Sequence, residues 1–196
     1  MTFNPSVFLK FNVIDTCAVW NVLSSQSLYA RAKNDGIEFY CAGLVLNECL
    51  HKPRKQICRE EMELQVRLRS AINNGDFRET PLAVEDLQAV QILETRQRLG
   101  KGELTSIARA INTRQAFMTD DQEARKFATA TFARVSVQTT PHLFSWLVFT
   151  SSISAQEASE IIEDNIQMKR PLKPHLEKAF EIARRARSLC QPPEGR

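Results

Sequence analysis

The chain has 196 residues, of which 43% are hydrophobic and 25% charged, the balance of a globular protein that can bury a core of two or three layers. Its six glycines and eight prolines exclude collagen-like and low-complexity chains. The net charge of +3 excludes a protein that binds nucleic acid through overall charge alone, although a local basic groove stays open.

Cysteine and histidine usage points to a reducing compartment. The five cysteines are an odd number without a C-x-x-C pair, which favours free thiols over a disulfide framework. The three histidines lie far apart, so no Cys/His zinc spacing is present. No charged segment followed by a long apolar one opens the chain, and the most apolar window, 143–149, is too short to span a bilayer. We therefore expect a cytoplasmic protein.

Short apolar runs alternate with amphipathic segments through the first 140 residues. Strands are predicted at 8–14, 37–41, 116–119 and 134–137. The segments between them predict a helix that begins near residue 16 and ends at Gly36, a short helix around 44–52, and further helices at 54–74, 84–99, 100–111 and 123–130. Alternating strands and helices predict an α/β fold with a central, mostly parallel sheet flanked by helices.

From Pro141 onward the pattern is purely helical. Ser154 and Glu157 match a capping box that starts one helix, and a last helix is predicted from about 175 to 189. We therefore divide the chain into a core at 1–140 and a C-terminal helical extension at 141–196.

Acidic residues recur where the predicted strands end. Asp15 directly follows the first strand, and Glu48 lies on the helix after the second. Glu103 opens the helix after a Gly-marked turn, and Asp120 and Asp121 directly follow the third strand. Each alone is commonly only a helix cap or a partner of the helix dipole. Together at one sheet edge they repel unless a cation neutralises them, and carboxylates without paired His or Cys suit Mg²⁺ or Mn²⁺.

Four segments occur in the order typical of PIN-domain nucleases. They are Val-Ile-Asp-Thr at 13–16, Val-Leu-Asn-Glu at 45–48, Gly-Lys-Gly-Glu-Leu-Thr-Ser-Ile-Ala at 100–108 and Phe-Met-Thr-Asp-Asp-Gln-Glu-Ala-Arg at 117–125. No single segment is specific, but over about residues 7–140 their order and spacing make the chain resemble this family, and in particular the VapC-like toxin ribonucleases and related prokaryotic PIN proteins. The resemblance implies a three-layer PIN-like fold, and the helical tail is similar to that of relatives in which helices follow the core.

The resemblance also implies the site residues of a metal-dependent endoribonuclease. Asp15, Glu48 and Glu103 match the first three acidic positions of the family. The fourth position is open between Asp121, which fits a T-x-D pattern, and the adjacent Asp120. All of these are candidate catalytic residues, and Asp15, Glu103 and the aspartate of the fourth position are the candidate ligands of Mg²⁺ or Mn²⁺.

Hydroxyls and cations beside the acidic residues extend the predicted site. Thr16 and Thr119 match hydroxyl positions of the family, with a hydrogen bond to a metal-bound water or a carboxylate as the implied role. Arg125 and Lys126 are candidates for contact with an RNA phosphate, although such a charged stretch is more often a solvated helix face. Cys17 is better interpreted as a small buried helix residue than as a catalytic thiol, because no histidine accompanies it.

The expected function is hydrolysis of RNA phosphodiester bonds. A carboxylate-bound Mg²⁺ or Mn²⁺ lowers the pKa of bound water, orients it for in-line attack on phosphorus and neutralises the charge that develops. The resemblance implies the toxin of a type II toxin–antitoxin pair, a homodimer, and a cognate antitoxin protein whose segment enters the active-site groove. The alternative is a catalytically silent module that keeps the fold and binds RNA or protein; occupation of all four acidic positions argues against it.

Overall fold

The computed structural model describes residues 3–53, 56–94, 99–132 and 135–190. The described strands are β1 (Phe11–Ile14), β2 (Glu38–Ala42), β3 (Phe77–Thr80), β4 (Ala116–Met118) and β5 (Val137–Gln138). The described helices are α1 (Thr16–Leu23), α2 (Gln26–Asn34), α3 (Gly43–Leu50), α4 (Arg59–Asn73), α5 (Val84–Glu94), α6 (Lys101–Thr113), α7 (Gln122–Thr131), α8 (Thr140–Phe149), α9 (Ala155–Gln167) and α10 (Lys173–Cys190). Among the helices in these ranges, none combines the length and apolar character needed to cross a membrane.

The strands form one sheet in the order β3-β2-β1-β4-β5, and every neighbouring pair is parallel. The chain builds one edge outward from β1 through β2 and β3, then crosses back to build the other edge with β4 and β5. Such a reversal opens a crevice beyond the carboxyl ends of the two central strands, here β1 and β4. The predicted α/β class with a parallel sheet is confirmed.

Helices cover both faces of this sheet because successive strand residues point to opposite sides. Ile14, Phe39 and Met118 pack in the larger apolar cluster, which also contains side chains of α1–α4 and α8–α10. Val13 and Phe117 point the other way and pack with side chains of α6 and α7. The two clusters therefore give helical layers on both sides of the sheet.

The C-terminal helices share the larger cluster with the sheet. Leu143, Phe144 and Leu176 are almost completely buried within it. The Ser145 hydroxyl donates a hydrogen bond of 3.0 Å to the Ala179 carbonyl, which joins α8 to α10. Burying one Leu or Phe side chain stabilises a fold by about 1.5–3 kcal/mol, so residues on both sides of position 140 stabilise the same core.

Two elements differ from the sequence-based expectation. The helix predicted to end at Gly36 is two helices, α1 and α2, because Ser25 caps a new helix by accepting a hydrogen bond from the Leu28 N–H at 3.3 Å. Strand β3 was not predicted, since Arg78 and Glu79 are exposed on an edge strand and interrupt the apolar pattern.

Other predicted elements agree with the structure within a few residues. The capping box of Ser154 and Glu157 starts α9, as predicted. Parts of three predicted elements, at 54–55, 95–98 and 134, lie outside the described residues.

Candidate functional site

Asp15 lies in the central crevice because it follows β1 and begins α1. Its side chain is buried and caps the helix, with Oδ1 accepting a hydrogen bond from the Ala18 N–H at 2.9 Å. The hydroxyl of Thr119, at the end of β4, donates to Oδ2, and the Cys17 thiol donates to Oδ1 at 3.1 Å. Burial raises the pKa of Asp15 to about 7, although these hydrogen bonds act to lower it. The site thus holds a carboxyl that ionises with difficulty unless a cation compensates it.

Glu48 is on α3 and Glu103 is on α6. The carboxylates of both lie at the N-terminus of α6. Glu48 accepts a hydrogen bond from the Thr16 hydroxyl at 2.8 Å on Oε2. A Cβ atom on Gly102 would lie only 3.2 Å from the same oxygen, so the glycine allows the carboxylate to approach the α6 backbone. Glu103 accepts a hydrogen bond of 2.9 Å from the Gly100 N–H and closes a capping box there.

The charge of Glu103 is influenced by its acidic neighbours. Burial raises its pKa above the usual range, and the charges of Asp121 and Glu48 add to the rise against the hydrogen bond from Gly100. The N-terminus of α6 carries a partial positive charge, which favours carboxylates at this position. The carboxylates are therefore close enough to repel one another.

Asp120 and Asp121 point to different surroundings although they are adjacent in sequence. The side chain of Asp121 caps the N-terminus of α7. The Asp120 carboxylate accepts a hydrogen bond from the Asn21 amide at 2.8 Å and another from the Thr140 N–H at 2.9 Å. Only Asp121 lines the cleft that Asp15 occupies.

These side chains meet in a cleft of about 290 Å³, which we call the carboxylate cleft. Its lining residues are Asp15, Thr16, Cys17, Trp20, Glu48, Gly100, Glu103, Asp121 and Arg170. The structure thus brings together four of the predicted carboxylates and one of the predicted hydroxyls. Thr119 is buried and bonded to Asp15, whereas Asp120, Arg125 and Lys126 are not among the lining residues.

Arg170, between α9 and α10, contributes a positive charge to this cleft. Its Nε donates a hydrogen bond of 2.7 Å to the Asn21 side-chain oxygen. Burial lowers the pKa of Arg170 from its usual value, against the negative charge of Asp120, which raises it. Among the lining residues that the structure describes, Arg170 carries the one positive charge. In the sequence, Arg170 stands among other basic residues, Lys169 and Lys173, with no signal that it contacts α1.

Cys17 is a second contributor to the cleft. Burial raises the pKa of its thiol far above the usual value, and the charges of Asp15 and Asp120 raise it further. A protonated thiol is a weak nucleophile, so Cys17 acts as a hydrogen-bond donor to Asp15. Cys17 lies on helix α1, as expected, but it is partly rather than fully buried.

The donor atoms of the cleft suit a hard cation, because carboxylate and hydroxyl oxygens are the ligands that Mg²⁺ and Mn²⁺ prefer. Within the described ranges, however, no group of three or more His, Cys, Asp or Glu side chains is arranged to hold a metal ion as it stands. Both oxygens of Asp15 accept hydrogen bonds from protein groups instead. The chemistry of the donors fits a divalent cation, and binding one requires the carboxylates to reorient.

Comparison of the chain with known proteins finds no match among family models, curated proteins or solved structures. The residues and geometry of the carboxylate cleft are therefore the support for a function.

Proposed function

We propose that the chain is a Mg²⁺- or Mn²⁺-dependent endoribonuclease of the PIN-domain type. The observation that carries the proposal is the meeting of four carboxylates in one cleft at the topological switch point of a parallel sheet. Burial raises the pKa values of Asp15 and Glu103; the charge of Asp120 adds to the rise at Asp15, and the charges of Asp121 and Glu48 add to it at Glu103. A divalent cation would compensate this charge, and perturbed carboxyls in a cleft are typical of functional sites.

The carboxylates of Asp15, Glu103 and Asp121 are the ones that would hold the cation. When bound, the cation supplies an activated water and neutralises charge on the phosphate that is attacked. The Thr119 hydroxyl and the Cys17 thiol donate hydrogen bonds to Asp15 in the structure without a cation, and Asp15 would turn from this arrangement to hold one.

Glu48 and Arg170 have separate roles in this proposal. The Thr16 hydroxyl donates to Glu48, and the lack of a side chain on Gly102 lets the Glu48 carboxylate approach α6. In this position Glu48 would orient the attacking water or accept its proton. The guanidinium of Arg170 is held by Asn21 at the cleft and offers N–H donors to a substrate phosphate.

A VapC-like toxin role is part of the same proposal. The chain would form a homodimer, act in the cytoplasm, and be restrained by an antitoxin protein whose segment enters the carboxylate cleft. The support for these partners is the order of the four segments at 13–16, 45–48, 100–108 and 117–125.

A catalytically silent module that binds RNA or protein is the second candidate. It is favoured by the hydrogen bonding of Asp15, whose two oxygens are occupied by protein donors. It is also favoured by the lack of a ready metal-binding group in the described parts of the chain.

The deciding experiment is cleavage of a mixed RNA pool with Mn²⁺, Mg²⁺ or EDTA. We expect metal-dependent cleavage that falls by about 10²–10³-fold or more in Asp15→Asn and Glu48→Gln, the scale of removing a group that stabilises a charged transition state. Glu160→Gln, which changes an exposed carboxylate on α9, is the matched control and should cleave like the unaltered chain. Cleavage that persists in EDTA or in Asp15→Asn would overturn the proposal, and RNA binding without cleavage would establish the silent module.

A further inference from the structure

A second cleft, between α7 and α10, adjoins the carboxylate cleft. It encloses about 610 Å³, and Gln122, Arg125, His175 and Lys178 are among its lining residues. We call it the basic cleft. One wall comes from the core and the other from the C-terminal helices.

The two clefts share a thin partition. Asp121 lines the carboxylate cleft and Asp120 the basic cleft, while Arg170 lines the first and Pro171 the second. At two places the clefts are thus separated by consecutive residues of the chain. A linear polymer that crosses these residues would therefore contact both clefts.

Arg125 provides the observation that points to a ligand. Its Nη1 atom is buried and has no hydrogen-bond partner within the described structure. A buried charged donor without an acceptor costs free energy, and such groups in native proteins usually have a partner that completes them. The absent partner must be a hydrogen-bond acceptor, and an anion matches the charge.

The rest of the lining favours an anion as well. Lys178 is exposed on α10, and His175 lies one turn before it. Asp120 is the acidic lining residue, and its carboxylate already accepts hydrogen bonds from Asn21 and Thr140. The positive charges of the cleft are therefore not neutralised by Asp120 alone.

We propose that the basic cleft binds a backbone phosphate of single-stranded RNA, next to the phosphodiester that enters the carboxylate cleft. This inference rests on the proposed function, because it takes the substrate to be RNA. Each nucleotide carries one phosphate, so a strand that crosses the partition presents phosphates to both clefts. The guanidinium of Arg125 can donate hydrogen bonds to phosphate oxygens, and the ammonium group of Lys178 attracts the phosphate as a point charge. The C-terminal extension is then one wall of the substrate groove.

The test is the affinity of the full chain for a short, fluorescein-labelled, mixed-sequence single-stranded RNA, measured by anisotropy in EDTA. We expect Arg125→Gln and Lys178→Gln each to weaken binding about fivefold to tenfold across sequences, with a salt slope shallower by about 0.7 per lost contact. Arg69→Gln is the matched control, because Arg69 is exposed on α4 and is not a lining residue of either cleft. It should bind RNA within about twofold of the unaltered chain.

Thermal melting separates phosphate binding from a structural role of Arg125. Because its buried Nη1 has no partner in the described parts of the chain, we expect Arg125→Gln to melt at a temperature no lower than the unaltered chain. A lower melting temperature in Arg125→Gln, together with unchanged RNA affinity in the exposed variant Lys178→Gln, would overturn the inference.

The outcomes distinguish this inference from the nuclease proposal. If Arg125→Gln and Lys178→Gln bind RNA as Arg69→Gln does, the inference is wrong, whatever the cleavage assay shows. If the unaltered chain binds RNA through Arg125 and Lys178 but does not cleave it, the nuclease proposal fails and the basic cleft keeps its ligand. Binding of poly-glutamate through Arg125 without binding of RNA would assign the cleft to an acidic protein segment and overturn the inference.

Discussion

The carboxylate cleft and the basic cleft are neighbours, and they differ in whether their charged side chains have hydrogen-bond partners within the chain. In the first, the buried Asp15 accepts a hydrogen bond from Thr119 and the partly buried Glu103 accepts one from Gly100. In the second, the Arg125 guanidinium has a buried N–H without an acceptor among the residues that the structure describes. The carboxylates of the first cleft thus have hydrogen-bond donors without a ligand. In the second cleft, one N–H group of Arg125 lacks an acceptor among the described residues.

The comparison shows how one surface can suit a polyanion and a cation together. Burial holds the pKa of Asp15 near 7, so the carboxylate cleft gains from added positive charge. The basic cleft gains from added negative charge. An RNA strand with a bound divalent cation brings both kinds of charge, and each ligand relieves the repulsion that the other would meet.

The largest effect is expected from substitution of Asp120 and Asp121, the adjacent aspartates that separate the carboxylate cleft from the basic cleft. Asp121→Asn should reduce metal-dependent RNA cleavage by about 10²-fold and leave the melting temperature nearly unchanged, because Asn also caps helices. Asp120→Asn should keep cleavage within about tenfold but lose about 2 kcal/mol of stability, because the charge-assisted bonds with Asn21 and Thr140 weaken. Cleavage rates and urea denaturation of both variants measure this, and a greater loss of cleavage in Asp120→Asn would contradict the assignment of Asp121.

The next largest effect is a pH dependence of the free energy of unfolding that comes from Asp15 in the carboxylate cleft. The pKa of Asp15 is raised from 3.8 to about 7 in the folded chain, so the folded state binds this proton more tightly than the unfolded state. The resulting stability is complete below pH 3.8 and is lost as the pH rises through 7. In EDTA, the free energy of unfolding should fall by about 2–3 kcal/mol between about pH 5 and about pH 8 through this group.

Asp15→Asn removes the titrating group and is the comparison for this pH effect. Its unfolding free energy in EDTA should vary less with pH and exceed that of the unaltered chain at alkaline pH. Glu160→Gln should keep the pH dependence of the unaltered chain. Equal pH profiles for Asp15→Asn and the unaltered chain would show that Asp15 is not the group responsible.

The smallest effect is expected from a substitution that changes the carboxylate cleft and leaves the basic cleft unaltered. In Gly102→Ala, the new Cβ would lie 3.2 Å from Glu48 Oε2 and displace the carboxylate by a few tenths of an ångström. Cleavage should fall about threefold to tenfold, since misplacing a catalytic group by about 1 Å costs about 10²-fold. RNA affinity in EDTA should not change.

Gly43→Ala is the steric control for Gly102→Ala. Its Cβ would meet the carboxylate of Glu79 at 2.9 Å, at a position that does not line the carboxylate cleft. It should therefore cleave RNA like the unaltered chain. If Gly102→Ala also cleaves at the full rate, the position of Glu48 does not matter for the reaction.

Local sequence signals predicted the sheet edge and its carboxylates. The apolar run before Asp15 and the one before Asp120 and Asp121 identify strand ends, and parallel strands bring their carboxyl ends to one edge. The choice between the two aspartates could not be made from sequence, because it depends on contacts of Asn21 and Thr140 with Asp120. Edge strand β3 escaped prediction because solvent-facing polar residues carry no alternating apolar signal.

Long-range packing accounts for the rest of what sequence could not predict. The hydrogen bond between Arg170 and Asn21 joins residues separated by 149 positions. The helical periodicity of α10 shows that one face is apolar, but not which groove of the core receives it. The basic cleft exists only once that packing is known.

The position of Arg170 also has a consequence for the order in which a ribosome makes the molecule. Of the residues that line the carboxylate cleft, Arg170 is the last to be synthesised, and the α10 wall of the basic cleft follows it. A nascent chain that ends before α8 leaves the apolar surface of Ile14, Phe39 and Met118 without the C-terminal side chains that cover it. Both clefts can therefore be complete only after the C-terminal part of the chain has been synthesised.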